Sequence, residues 1–143
     1  MKGLSEKGFT FIILSNQAGV ARGHMSESQL NEVNDYILQR MADSGINILD
    51  LFMCTHNWDQ NCHCRKPKPG MLLEAARKYN LYLKKTVFIG DDERDVEAAL
   101  AANSIPIYIG EKKDLNDLQS SVKAFANITL AMEELITIYK GSK

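Results

Sequence analysis

The chain has 143 residues, 45% hydrophobic and 24% charged, the size and make-up of one domain with a real apolar core. Seventeen Lys and Arg against eighteen Asp and Glu leave a net charge of -1, which argues against a general nucleic-acid binder. No apolar run approaches the length that crosses a bilayer, the N-terminus is not of signal-peptide form, and three closely spaced cysteines suit a reducing cytoplasm.

In chain order, residues 1–7 are too few for a domain's opening helix, yet Gly8 and then Phe9 to Leu14 have the form of a helix-ending glycine before a buried strand over 9–14. Ser15 to Gly23 is expected to be a loop at that strand's carboxyl end, the ligand-binding edge of an open α/β sheet. His24, just beyond it, is expected to face solvent. Ser26, with Gln29 three residues on, makes a capping box, and Leu30, Val33, Ile37 and Met41 recur at helical spacing until Gly45. All four apolar positions are assigned to the core. A second strand covers 48–53. A helix over 70–79 is expected to pack Leu72, Leu73 and Ala76 and to stop at Asn80. A third strand over 86–89 leads through Gly90-Asp91-Asp92-Glu93-Arg94-Asp95 into a helix containing Val96, Ala99 and Leu100. The fourth strand is 105–109, with Pro106 pushing it towards the sheet edge. The polar stretch 112–123 receives no element, and 129–139 reads as a final amphipathic helix. Strands alternating with helices imply a doubly wound parallel α/β sheet, Rossmann-like, in a single domain over 1–143.

The most informative stretch runs from Cys54 to Met71. Cys54 and His56 form one close pair and Cys62 and Cys64 another, and the five residues between the pairs let the backbone fold back. Three thiolates and an imidazole suit tetrahedral Zn2+ in a closed, structural site over 54–64. Three reduced thiols and a chance histidine are the plainer alternative, outweighed by the paired spacing. His63 is the competing imidazole, but neighbours in an extended hairpin point to opposite sides, which favours His56. Trp58 is expected to shield the metal or an apolar patch. Arg65 and Lys66 follow the last ligand directly, on a segment stiffened by Pro67 and Pro69. Ser15 and Asn16, Arg65 and Lys66, and Asp91 and Asp95 are expected to gather at one sheet edge. Hydroxyl, amide and ammonium donors would hold a phosphoryl group, and carboxylates would hold Mg2+, a hard ion that prefers oxygen.

With Ser15 to Gly23, the Cys-x-His and Cys-x-Cys pairs, Arg65-Lys66-Pro67 and Gly90-Asp91-x-x-x-Asp95 together, the sequence resembles the haloacid dehalogenase superfamily of aspartyl phosphatases. The zinc-loop branch, with histidinol-phosphatase and D-glycero-D-manno-heptose 1,7-bisphosphate phosphatase, resembles it over nearly the whole chain. The resemblance implies that Ser15 and Lys66 bind the transferring phosphoryl group, that Asp91 coordinates Mg2+, and that Asp95 supports it. It also implies that Arg65 contacts a substrate phosphate and that Asn16 touches substrate, a small sugar phosphate. Lys66 to Met71 looks more like the heptose enzymes, with histidinol phosphate as the alternative substrate.

In that family the nucleophile sits in an Asp-x-Asp motif on the first, central strand, and no Asp-x-Asp occurs in these 143 residues. The sequence resembles a family member that starts late, so the first central strand is expected to be missing between strands 9–14 and 86–89. Two edges would then lack a partner unless another segment or chain supplies one. A phosphate-binding module without a nucleophile is the reading from a different class. The oligomeric state is not set by the sequence.

Overall fold

The structure, a computed structural model, describes residues 1–115 and 121–140, and the chain forms two compact units, Met1–Arg65 and Lys66–Lys143. The strands form two parallel ladders, one in each unit.

In the first unit, α1 (Lys2–Ser5) is a single turn that buries Leu4. Gly8, at φ 89, ends the turn, and the Phe9 amide donates to the Leu4 carbonyl at 3.1 Å. The glycine thus acts as its position predicts. β1 (Phe11–Asn16) pairs with β2 (Ile48–Cys54) in parallel, Asn16 lying level with Cys54. β1 therefore runs two residues further than expected, and Ser15 and Asn16 belong to the strand rather than to the loop. The cause is the length of β2: its pairing positions extend to Cys54, and a strand continues for as long as its partner offers hydrogen bonds.

Between them lies α2 (Glu27–Asp43), capped as predicted. The Gln29 amide donates to Ser26 Oγ at 3.1 Å, and the Ser26 amide donates to Gln29 Oε1 at 2.9 Å. At the other end Gly45 adopts φ 72, and the Ile46 amide reaches the Met41 carbonyl at 2.9 Å. Of the four apolar positions assigned to the core, only Leu30 is fully buried. Ile37 and Met41 are half-buried, and Val33 is 44% exposed. An amphipathic stripe wider than the surface it meets leaves one border in water.

The second unit contains α3 (Gly70–Tyr79), β3 (Val87–Gly90), α4 (Glu93–Ala101), β4 (Ile105–Ile109), β5 (Lys123–Phe125) and α5 (Ile128–Lys140). α3 stops at Asn80 as expected, and Asn80 closes it in the left-handed conformation. The buried face of α3 carries Met71, Leu72 and Ala75, while Leu73 is exposed. On α4 the buried residues include Val96, Ala98 and Ala99, and Leu100 is exposed.

β4 is not at the edge, because β5 pairs with it on the side away from β3. The ladder to β5 begins at Ile107, and the Ile105 amide already donates to the Thr86 carbonyl on the β3 side. Pro106, pointing the other way, sits just before the β5 ladder starts, so its missing N–H costs no bond. β5 begins at Lys123, the last residue of the polar stretch 112–123 to which no element is assigned, and a 3-10 turn over Lys112–Asp114 opens that stretch. Residues 116–120 of that stretch lie outside the described residues.

Val96, Tyr108 and Val122 form the heart of this unit's core, with Leu115 and Ala124 packed against it. Ser104, also buried, satisfies its hydroxyl by donating to the Thr86 carbonyl at 2.6 Å. Ile107 is 1% exposed at the centre of the three-stranded ladder. Its replacement by Ala is expected to destabilise the fold by about 3 kcal/mol through lost burial and a residual cavity, measured as a lower denaturation midpoint at unchanged slope.

Candidate active site and metal centre

The metal loop begins where β2 ends. Cys54, the last residue of β2, is completely buried, and the three partners predicted for it come back to meet it. Cys54 Sγ lies 3.7 Å from His56 Nδ1, 3.6 Å from Cys62 Sγ and 3.1 Å from Cys64 Sγ. His56 Nδ1 is 3.2 Å from Cys64 Sγ, and all four atoms fall within 4.8 Å of one another. A tetrahedron with zinc–sulfur bonds of about 2.3 Å has sulfur–sulfur edges of roughly 3.8 Å. The cluster therefore has the size and donor chemistry of such a site. His63 is not among the converging residues.

Burial, together with the thiols of Cys54 and Cys62 beside it, pushes the Cys64 thiol up to about 12. Burial opposes ionisation at Cys62 as well, but hydrogen bonds from the Arg65 backbone and from the Cys64 and Cys54 thiols outweigh it and lower its pKa. Thiols packed this closely cannot all carry charge unless a cation sits among them.

Inside the loop, residues 58–60 form one 3-10 turn. Asn57 caps it, its amide donating to Gln60 Oε1 at 2.5 Å, and Asn61 closes it in the left-handed conformation. This turn points Trp58 outward. At 71% exposed, it is not the buried shield expected from the sequence. The Gln17 amide donates to the Cys54 carbonyl at 2.7 Å, and Gln17 Nε2 donates to Ser15 Oγ at 2.9 Å. Arg22 Nε donates to Asn57 Oδ1 at 3.0 Å. The first loop and the metal loop are thus bound together in the first unit, with Ser15 and Asn16 beside them. Arg65, half-buried, directs its guanidinium at the His56 carbonyl, 3.5 Å away. His24 is exposed, as expected.

The second unit holds the remaining predicted residues. Lys66 Nζ lies 2.6 Å from Asp95 Oδ1, with side chains 14% and 8% exposed, and 5.7 Å from the centre of the Phe88 ring. A pair this dry persists only because each charge answers the other. Asp95 also accepts from the Asp92 amide at 3.3 Å, so it serves simultaneously as the third residue of the α4 capping box.

Room for the Asp95 carboxyl comes from Gly90. A Cβ there would stand 2.2 Å from Asp95 Cβ and 2.3 Å from its Oδ2. Asp92, which sequence reasoning did not single out, caps α4. It accepts from the Arg94 amide at 2.9 Å and forms a two-pronged pair with the Arg94 guanidinium at 2.7 Å on each prong. Its position directly ahead of the α4 helix was the available signal. Arg94 holds the Asp92 carboxyl at about 2, against the opposing effect of partial burial. Because this value is depressed, the pair's contribution is fully present above the ordinary carboxylate value near 3.8 and is lost as pH falls through about 2. With Asp92 and Asp95 each answered by a cation, Asp91 at the carboxyl end of β3 is exposed. Carboxylate oxygens in an exposed turn fit Mg2+.

Residues 63–121 match the HAD-hydrolase-like family. Over 105 residues the chain is 37% identical to a D-glycero-alpha-D-manno-heptose-1,7-bisphosphate 7-phosphatase of Photorhabdus laumondii, covering 68% of this chain and 57% of that protein. Over 135 residues it is 34% identical to a D-glycero-beta-D-manno-heptose-1,7-bisphosphate 7-phosphatase of Pseudomonas putida, covering 94% of this chain and 75% of the relative. Among solved structures, the D,D-heptose 1,7-bisphosphate phosphatase of B. bronchiseptica, complexed with magnesium and phosphate, aligns with a TM-score of 0.82 at 28% identity. That alignment covers 95% of this chain and 79% of the other.

The chain belongs to the haloacid dehalogenase superfamily of hydrolases. Within that superfamily, its curated relatives described above are heptose bisphosphate phosphatases, and the chain spans between about half and three quarters of their length.

Gly90→Ala is expected to drive Asp95 from its position, break the pair with Lys66 and destabilise the fold by about 3 kcal/mol or more. Thermal unfolding measures the loss, and an unaltered Tm would refute the close approach.

Proposed function

We propose that the chain makes up most of a phosphate monoester hydrolase whose substrate is a sugar bisphosphate of the D-glycero-D-manno-heptose 1,7-bisphosphate kind. What carries this reading is 34% identity over 94% of the chain to relatives that bear that activity in their names. The same names favour a heptose bisphosphate over histidinol phosphate. Since relatives named for the α and the β anomer both match, the reading is of the substrate class rather than of one anomer.

On this reading Lys66, aimed by its ion pair with Asp95, neutralises charge on the phosphoryl oxygens as it builds in the transition state. Ser15 offers its hydroxyl as a phosphoryl donor. Arg65, with a planar fork of donors, suits a second phosphate of the substrate, and Asn16 offers an amide to the sugar. Asp91 would hold Mg2+, which when bound supplies further neutralisation of the phosphoryl oxygens. The attacking carboxylate is not among these residues, because the 143 positions contain no Asp-x-Asp. An aspartate supplied from outside them attacks phosphorus in line, the P–O bond to the sugar breaks as its oxygen takes a proton from the motif's second aspartate, and water cleaves the resulting aspartyl-phosphate to release phosphate. The Cys54, His56, Cys62 and Cys64 cluster is assigned to Zn2+ in a structural role, holding the loop that ends in Arg65.

Residues 1–143 alone are expected to hydrolyse D-glycero-D-manno-heptose 1,7-bisphosphate negligibly. A chain extended by an Asp-x-Asp strand before Met1 should turn it over. In that longer chain, Lys66→Ala should lower kcat/KM on the order of a hundredfold or more, as removing one preorganised charge does elsewhere. Failure of the longer chain on this substrate would reject the assignment. Independently, one equivalent of zinc should be found by elemental analysis. Its removal by a chelator, or Cys64→Ser, should lower Tm by roughly 5 °C or more.

A further inference from the structure

Trp58 is the single tryptophan of the chain and, at 71%, the most exposed of the large apolar side chains among the described residues. A large side chain left in water on a loose loop would mean little, since solitary exposed apolar residues are ordinary. The backbone beneath this one is tightly held. Asn57 and Gln60 cap its 3-10 turn reciprocally, and Asn61 closes that turn. His56 and Cys62 fasten both flanks to the metal cluster. Arg22, from the loop that follows β1, fixes Asn57 from the side at 3.0 Å.

The position in the fold is equally specific. β2 ends at Cys54, level with Asn16, and Trp58 follows four residues later on the loop that leaves this carboxyl end of the ladder. An exposed indole on a restrained turn, next in sequence to Asn57, whose side chain binds Arg22, has the chemistry that receives a sugar ring. The C–H face of a pyranose rests on an aromatic surface, and its hydroxyls find donors and acceptors at the rim.

We propose that Trp58 is a specificity-determining residue, a platform on which the sugar of the phosphorylated substrate stacks, distinct from the groups that hold phosphate. This deepens the phosphatase reading and rests on it. Cations and hydroxyl donors recognise the phosphoryl group of any ester, whereas a stacking surface distinguishes a sugar ester from inorganic phosphate.

Because Trp58 is the only indole, its emission reports directly on what touches it. The metal-loaded chain would be titrated with D-glycero-D-manno-heptose 1,7-bisphosphate and, separately, with inorganic phosphate. Emission and calorimetric binding would both be recorded. The expected result is a saturable change in emission with the sugar bisphosphate and none with phosphate. Trp58→Ala should weaken sugar bisphosphate binding about fivefold, leave phosphate binding and zinc content unchanged, and be rescued by Trp58→Phe. Calorimetric binding of the sugar bisphosphate with no emission change, and with wild-type affinity in Trp58→Ala, would overturn the inference while leaving the phosphatase reading intact. If neither ligand binds, the phosphatase reading itself falls and takes this inference with it.

Discussion

The ion pair between Lys66 and Asp95 is the contact around which the buried polar groups of the second unit are arranged. Its two side chains are 14% and 8% exposed, and neither charge could stay so dry without the other. Asp95 reaches the position only because Gly90 has no Cβ, and the same carboxylate caps the start of α4. One residue therefore ties the end of β3, the first turn of α4 and the segment that leaves the metal loop. A lysine held in this way is fixed in direction, which is what the proposed phosphoryl contact would demand of it.

In the first unit the comparable constraint is the four-ligand cluster. It draws ligand atoms from the end of β2 and both halves of the metal loop to within 4.8 Å of one another. Eleven residues of otherwise irregular chain are held without a hydrophobic core of their own, and the loop ends in Arg65 with its backbone restrained. Two cations adjacent in sequence are thus fixed by different means, Arg65 by the loop's own polar contacts and Lys66 by a buried carboxylate.

Much of this was legible in the sequence because it rests on local rules. The Ser26 capping box, the closing roles of Gly8, Gly45 and Asn80, and the convergence of Cys54, His56, Cys62 and Cys64 all follow from residue type and spacing, and each stands where expected. Other features had no local signature. Val33, Leu73 and Leu100 keep helical periodicity yet are exposed, since periodicity locates an apolar stripe but not the border of the surface that covers it. Trp58 looked like a shield by its chemistry, and the 3-10 turn beneath it turned it outward. β5, three residues long, is defined by the neighbour it pairs with rather than by its own sequence.

The sequence by itself determined the alternation of strands and helices, the metal-binding donor set and the acidic turn after β3, since each is written in residues close together along the chain. Only the tertiary structure decided that β4 lies between two neighbours, that Ser15 and Asn16 belong to their strand, and that Lys66 is paired with Asp95 rather than standing alone. These outcomes depend on partners distant in sequence, whose approach is set by packing and by the pairing of buried charges. A pattern of residue types carries no distances, and it is distance that decides whether a carboxylate twenty-nine positions away becomes a partner of Lys66.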